Sequence, residues 1–343
     1  MRRSLILILF VIAYILSSCS KTSSLPEYND VSEQVKYSVL NFPSVKFDNI
    51  IWRRDGVLIA MQNESVRPLR QPHAFEGDKK LRYLDLEQDG NCVVTHYRFP
   101  SQLPDGRLGM IKWCATDNIF TDASYMVAYD WQTSQLEKIV QNQLKHFDLS
   151  QCFSWNPDMT KGVQRVSEGL TGTLNWLTPV GPEPVHITLR DGSRTWNLAQ
   201  DYEEDGSREG GRISCPSWSP KGDQIAVFVS FDAMGVAGIS RLDKQSQLLL
   251  VSPETGESES VLSGIYYPEF IEWSPDGESI AFVGDLTNEL WVFDVETRSL
   301  FLIAKGGEFD DLSWSPDSKN IAVIWCDSME CEKSEIRQYT LPK

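Results

Sequence analysis

The chain is short of histidine and of positive charge: its 343 residues include four His, and 32 Lys and Arg stand against 48 Asp and Glu. A formal charge of −16 repels a phosphate backbone, so nucleic acid is excluded as an expected partner. His73, His96, His146 and His186 are far apart and form no His-Glu-x-x-His pair, so a zinc site would need assembly from distant segments. Neither a metal nor a cofactor is expected. No Gly-x-Ser-x-Gly elbow occurs, and no cysteine has a histidine in a recognisable motif around it, so no catalytic residue is assigned. Long apolar runs are missing too. The run from Leu5 to Leu16 has twelve residues, below the roughly 20 that cross a bilayer as a helix.

That short run has an address of its own. Arg2 and Arg3 precede it and Leu16-Ser17-Ser18-Cys19 follows it, a pattern that resembles a bacterial lipobox. Residues 1–18 are therefore expected to be a lipoprotein signal peptide, with Cys19 carrying the lipid (diacylglycerol, palmitate) at the start of the mature chain. The alternative is an ordinary secretory signal with a chance cysteine. Its removal takes two arginines and no acids, leaving a formal charge of −18. Residues 19–33 are polar and without period, as a flexible tether would be. Ser20, where an enteric inner-membrane lipoprotein often carries Asp, favours the outer membrane in a two-membrane envelope. Lipidation of Cys19 leaves six cysteines, an even number in a compartment that permits disulfides. Cys326 and Cys331 flank a short loop and are the candidate pair; the other pairings stay open.

From residue 34 to 343 the chain repeats itself. Six turns follow anchor positions Trp52, Gln102, Trp155, Trp218, Trp273 and Trp314, at intervals of 41 to 63 residues. The fifth, Ser274-Pro275-Asp276-Gly277, shows the chemistry best: Pro275 pre-sets φ, Ser274 bonds forward, and Gly277 accepts the positive φ that leaves the turn. An apolar strand follows each turn, as in Gln224 to Val229, Ser279 to Val283 and Asn320 to Trp325. Third strands are expected at Leu81 to Leu86, Met126 to Asp130 and Leu290 to Asp294. Fourth strands are expected at Cys92 to His96, Leu136 to Val140, Val185 to Leu189 and Leu300 to Ile303. Four strands per period of about 50 residues is the unit of a propeller blade. The expected fold is all-β, a six-bladed β-propeller of four-stranded antiparallel blades.

Trp273-Ser-Pro-Asp-Gly277 with Ile280-Ala281-Phe282, repeated as Trp314-Ser-Pro-Asp317 with Ile321-Ala322-Val323, resembles the TolB-type, WD40-like propeller repeat. The resemblance covers roughly residues 35 to 343. It implies the fold and leaves function open, since that family includes periplasmic scaffolds, the substrate-gating propellers of prolyl oligopeptidases, and many lipoproteins. Copy two lacks its Trp, and copy three has Met159 where the turn wants Gly. The prolyl-oligopeptidase class is expected to be excluded, because no hydrolase segment follows the repeats. The last copy has room for three strands, so Gln34 to Leu40 is expected to supply its fourth and close the ring.

The repeated Trp and Pro-Asp are read as packing and turn residues rather than as a recognition code. Asp201-Tyr202-Glu203-Glu204-Asp205-Gly206 resembles a calcium loop, but Arg212 stands where a bidentate Glu is needed, so a solvated acidic loop is expected. The longer connections, Gln62 to Lys80, Ala115 to Ser124, Ser230 to Gln245 and Asp191 to Gly211, collect on one face, and tight turns such as Glu87 to Gly90 and Val295 to Arg298 on the other. Long loops on a rigid frame carry function, which points to Arg67, Arg70, Glu203, Glu204 and Asp205 as partner-binding residues. The leading expectation is a lipid-anchored, extracytoplasmic propeller that binds a protein or cell-envelope component without chemistry. The alternative is a propeller-based hydrolase or lyase acting on envelope glycan or peptide at the channel mouth on the long-loop face.

Overall fold

The computed structural model describes residues 27–40, 46–63, 71–76, 79–83, 94–103, 105–115, 123–139, 153–158, 161–166, 186–189, 195–197, 210–232, 246–264, 266, 268, 270–284, 288–327 and 334–342. Among them every regular element is a β-strand, and the strands form six sheets, each holding a meander of antiparallel strands. The fold is a β-propeller. In blade five the meander runs Ile271–Trp273, Ser279–Gly284, Glu289–Asp294 and Ser299–Lys305. In blade six it runs Glu308–Trp314, Asn320–Cys326 and Ser334–Thr340. The fourth strand of blade six is Lys36–Leu40, antiparallel to Ser334–Thr340 with Lys36 opposite Thr340 and Leu40 opposite Ile336. The two ends of the domain thus share one sheet, as the missing strand required.

Sheets in a propeller are buried on both faces, so alternation along one strand serves two different interfaces. In blade five Ile280 and Phe282 pack toward blade four, with Phe228, Leu248 and Tyr266. Ala281 and Val283 pack toward blade six, with Leu312, Trp314 and Ile321. Blade six meets blade one through Ala322, Ile324 and Ile336 against Ile50, Leu58 and Ala60. Blades one and two, two and three, and three and four meet in the same way, through Met61 and Met110, Met126 and Trp155, and Val163 and Val227 respectively. Among the described residues the core clusters lie at six such interfaces, each made by two sheets.

The turns are built as the residues suggest. Ser274 Oγ donates to Asp276 Oδ1 at 2.6 Å and accepts from Ser279 N at 2.9 Å, and Gly277 has φ 71°. Blade six repeats the device with Ser315, Asp317 and Asn320, but Ser318 occupies the left-handed position at φ 57°. The hydroxyl of Ser315, followed by the backbone N–H of Lys319, holds the Asp317 carboxyl below its usual range.

Several expected boundaries shift. The third strand of blade one is Gln71–Glu76 and its fourth is Lys79–Tyr83, so the stretch from Leu81 begins inside the fourth strand. Cys92 to His96 overlaps the inner strand of blade two, Val94–Gln102. Pro72 and a mixed polar pattern hide Gln71–Glu76 in the sequence, because edge-like composition reads as loop. In blade three His186–Leu189 is the third strand, and the short Thr195–Asn197 is the fourth. Two of the expected long loops therefore contain strands. Glu87 to Gly90 lies outside the described residues.

Ahead of the closing strand, Asn29–Asp30 adds to blade five as a fifth strand, parallel to Ser299–Lys305. Tyr28 meets Trp291 edge-on at 5.0 Å, and Lys305 Nζ lies 3.1 Å from Asp30 Oδ2. The stretch 19–33, read as a tether, is thus docked over its last residues, since backbone pairing and an aromatic contact offset the entropy of ordering them.

Candidate functional site

The inner strands of the blades surround a central cavity of about 700 Å³. Its wall includes Trp52, Trp155, Trp218, Trp273 and Trp314, and its rim includes Arg54, Pro157, Pro220, Pro275 and Pro316 from the turns after the inner strands. Those turns form the tight-turn face. A mouth on the long-loop face was expected, and among the described residues the cavity instead reaches the opposite end. The inner strand and its following turn are joined by one or two residues, so the anchor Trp and the turn Pro necessarily sit at the same end of the channel.

Around this wall one contact recurs. The residue before the anchor in one blade accepts the backbone N–H of the anchor in the next blade. Ser154 Oγ accepts from Trp218 N at 2.9 Å, Ser217 Oγ from Trp273 N at 3.3 Å, and Ser313 Oγ from Trp52 N at 3.0 Å. Glu272 stands at the same place in blade five, and its Oε2 accepts from Trp314 N at 3.2 Å. The indoles of Trp273 and Trp314 add a second bond, donating Nε1–H to the carbonyls of Ser217 and Glu272, each at 3.1 Å. Each short polar side chain satisfies a backbone donor that its own sheet leaves free on the channel side.

Blade six carries a second carboxylate. Asp311 Oδ2 accepts from Ile50 N at 3.0 Å and Asn49 Nδ2 at 3.3 Å, both in blade one, and Oδ1 accepts from Leu312 N at 2.8 Å. Glu272 and Asp311 both line the cavity, and both keep partial solvent exposure. Protein encloses them on every side but that one. Burial drives the Asp311 carboxyl up to about 7, against the pull of the Ile50 and Leu312 N–H groups. Burial drives Glu272 well above the usual carboxylate range as well, and the negative charge of Asp311 adds to it. A negative charge on Asp311 thus favours the neutral form of Glu272. Among the described lining residues Arg54 is the cation and these two are the anions.

The residues assigned to partner binding, Arg67, Arg70, Glu203, Glu204 and Asp205, lie outside the described residues, as do Cys19 and the Asp201 to Gly206 loop. Cys326 is disulfide-bonded, as is Cys215 on the cavity wall; Cys331 lies outside the described residues. His73, His96 and His186 fall in strands of blades one, two and three. Among the described residues no three His, Cys, Asp or Glu side chains are grouped to hold a metal ion. Glu272 and Asp311 went unrecognised in the sequence. The signal for Glu272 was a broken pattern: Ser precedes Trp155, Trp218 and Trp314, and Glu precedes Trp273.

No family model matches the chain. A dipeptidyl-peptidase 5 from Porphyromonas gingivalis is 30% identical over 197 residues, which is 52% of this chain and 28% of the relative. The chain thus spans little more than a quarter of that relative's length. Among solved structures, an oligogalacturonate lyase in complex with manganese matches with a TM-score of 0.56 at 15% identity, over 93% of this chain and 96% of that one. An oligogalacturonate lyase from Vibrio parahaemolyticus matches with 0.55 at 14%, over 93% and 97%. A gluconolactonase from Xanthomonas campestris matches with 0.52 at 11%, over 91% of each chain. At these identities the likeness shows the propeller fold alone.

Proposed function

We propose that this protein is held outside the cytoplasm by an acylated Cys19 and acts as a propeller-based hydrolase or lyase on an envelope glycan or peptide entering its central cavity. One observation carries the reading: Glu272 and Asp311, on inner strands of adjacent blades, line an open cavity with raised pKa values. A carboxyl that titrates near 7 is a proton donor at a pH where an ordinary one is spent. Of the wall indoles, Trp218, Trp273 and Trp314 are buried in the seams, and Trp52 and Trp155 keep the partial exposure that could meet a sugar ring or an aromatic side chain. The identity to a dipeptidyl peptidase supports the peptide arm of this reading.

A second reading, a non-catalytic binder of a protein or envelope component, is favoured by a different observation. The oxygens of Glu272 and Asp311 already accept backbone N–H groups, just as the serines in other blades do. The two separate in one experiment. The acylated protein is incubated with muropeptides, uronic-acid oligosaccharides and short peptides, and products are followed by mass spectrometry. Turnover that falls by about 10²-fold or more in Asp311→Asn, with ligand still bound, establishes the enzyme. Binding without product in the wild type establishes the binder and overturns the first reading.

A further inference from the structure

The docked N-terminal segment orients the anchored protein. Among the described residues the exposed large hydrophobics are Tyr28 at 38%, Tyr37 at 52%, Val39 at 40% and Leu136 at 36%. Three of these four lie within twelve residues of one another, immediately after the segment that leads from Cys19. Tyr28 sits on the outer side of blade five, against Trp291, beside the strand Asn29–Asp30. Tyr37 and Val39 lie at alternate positions of the outermost strand of blade six, so they point to the same face of that sheet. Arg337 stacks over the Tyr37 ring at 5.2 Å and over Trp325 at 3.5 Å, which holds the ring in place with its edge free.

The leash is short. Tyr28 lies nine positions after Cys19, and at 3.3 to 3.6 Å per step the chain between them spans at most about 32 Å. A lipid on Cys19 therefore keeps the outer wall of blades five and six close to the bilayer, at a high effective concentration. Charge does not drive this contact, because Glu27, Asp30 and Glu33 offset Lys36 and Lys305 along the same stretch. Tyrosines, with an apolar body and a polar tip, suit the headgroup level of a lipid surface.

Resting on the acylation of Cys19 given above, we infer that Tyr28, Tyr37 and Val39 form a membrane-facing surface, so that the propeller lies on its side wall against the lipid. The channel axis then runs along the surface. Its mouth, ringed by the tight turns, stays open to a ligand arriving parallel to the envelope.

The test uses the acylated protein in vesicles of phosphatidylethanolamine and phosphatidylcholine that carry a headgroup-proximal diazirine lipid. After photolysis, labelled peptides are mapped by mass spectrometry. Labelling is expected to concentrate in the peptide spanning Tyr28 to Leu40 and to persist at high salt. Changing Tyr37→Ser and Val39→Thr together, which a strand tolerates, should lower that labelling several-fold, with vesicle association unchanged and cooperative melting retained. Labelling spread evenly over the blades, or concentrated on another blade, overturns the surface while leaving the anchor intact. An intact mass showing an unmodified Cys19 overturns the anchor and the surface together.

Discussion

Two pairs of seams in this ring are joined by related contacts made from different chemistry. Where blade four meets its neighbours, a serine hydroxyl accepts the next anchor's N–H, at Ser154 to Trp218 and Ser217 to Trp273. Where blade six meets its neighbours, carboxylates enter: Glu272 takes the serine's place at Trp314, and Asp311 accepts the Ile50 N–H beside the Ser313 bond to Trp52. A hydroxyl is neutral at every relevant pH. A carboxylate is a stronger acceptor but brings a charge that an enclosed wall disfavours. Blade six is also the blade assembled from both ends of the domain, so the seams that close the ring are the ones that respond to protons.

The largest effect should come from taking the closure away. A chain beginning at Asn41 loses the strand Lys36–Leu40 together with buried Val35 and Leu40, and leaves Ser334–Thr340 as an open edge. It is expected to aggregate or to lose cooperative unfolding, read by thermal melts and size-exclusion chromatography. Retention of the wild-type Tm would mean that the ring does not depend on this strand.

Next in size is the pH dependence of the carboxylate seams. Asp311 and Glu272 have folded pKa values raised above their unfolded ones. Their contribution to stability is therefore complete below the unfolded pKa near 4 and is lost as pH rises through the folded value, about 7 for Asp311. The double change Glu272→Gln, Asp311→Asn keeps acceptors and removes both charges. Between pH 5 and pH 8 the wild type should lose roughly 1–2 kcal/mol relative to this variant, less than the full shift implies because solvent reaches both groups through the cavity. Parallel curves for the two proteins, measured by denaturant melts across that window, would remove the charge from the account.

Ser217→Ala at the hydroxyl seam sharpens the contrast. It removes the acceptor of the Trp273 N–H and should cost about 1–2 kcal/mol, the same at both ends of the pH window. A cost that varies with pH there would mean that the carboxylates act on the whole ring. The smallest effect is expected at the first turn of blade six, where it touches the matching turn of blade five. Ser318 has φ 57° where Gly277 has φ 71°, and its Oγ also accepts the Asp276 N–H at 3.1 Å. Ser318→Gly relieves the first and loses the second, for a net change within about 0.5 kcal/mol.

Legibility followed the local physics. The Trp-Ser-Pro-Asp turns of blades five and six, the apolar strands behind them and the need for an N-terminal strand were all readable, because turn chemistry and alternation act within a few residues. Gln71–Glu76 and Thr195–Asn197 were not. One contains Pro72, the other is three residues long, and both are strands because neighbouring strands pair with them. That the cavity borders the tight turns was not anticipated for a related reason: the loop lengths used to choose a face counted those strands as loop.

The repeat in the sequence thus determined the class of fold, the blade period and the closure, since each unit buries both faces of a sheet and has no core of its own. Tertiary structure alone decided the site. Glu272 and Asp311 are 39 residues apart in sequence and belong to different blades; Glu272 shows only as Glu before an anchor Trp where other copies have Ser, and Asp311 is not marked by its neighbours. Only ring closure turns both toward one cavity, where enclosure raises their pKa values and places their oxygens on the backbone of the following blade. Desolvation is a property of surroundings, and the surroundings of these two carboxylates come from the neighbouring blade, Trp314 for Glu272 and Ile50 for Asp311.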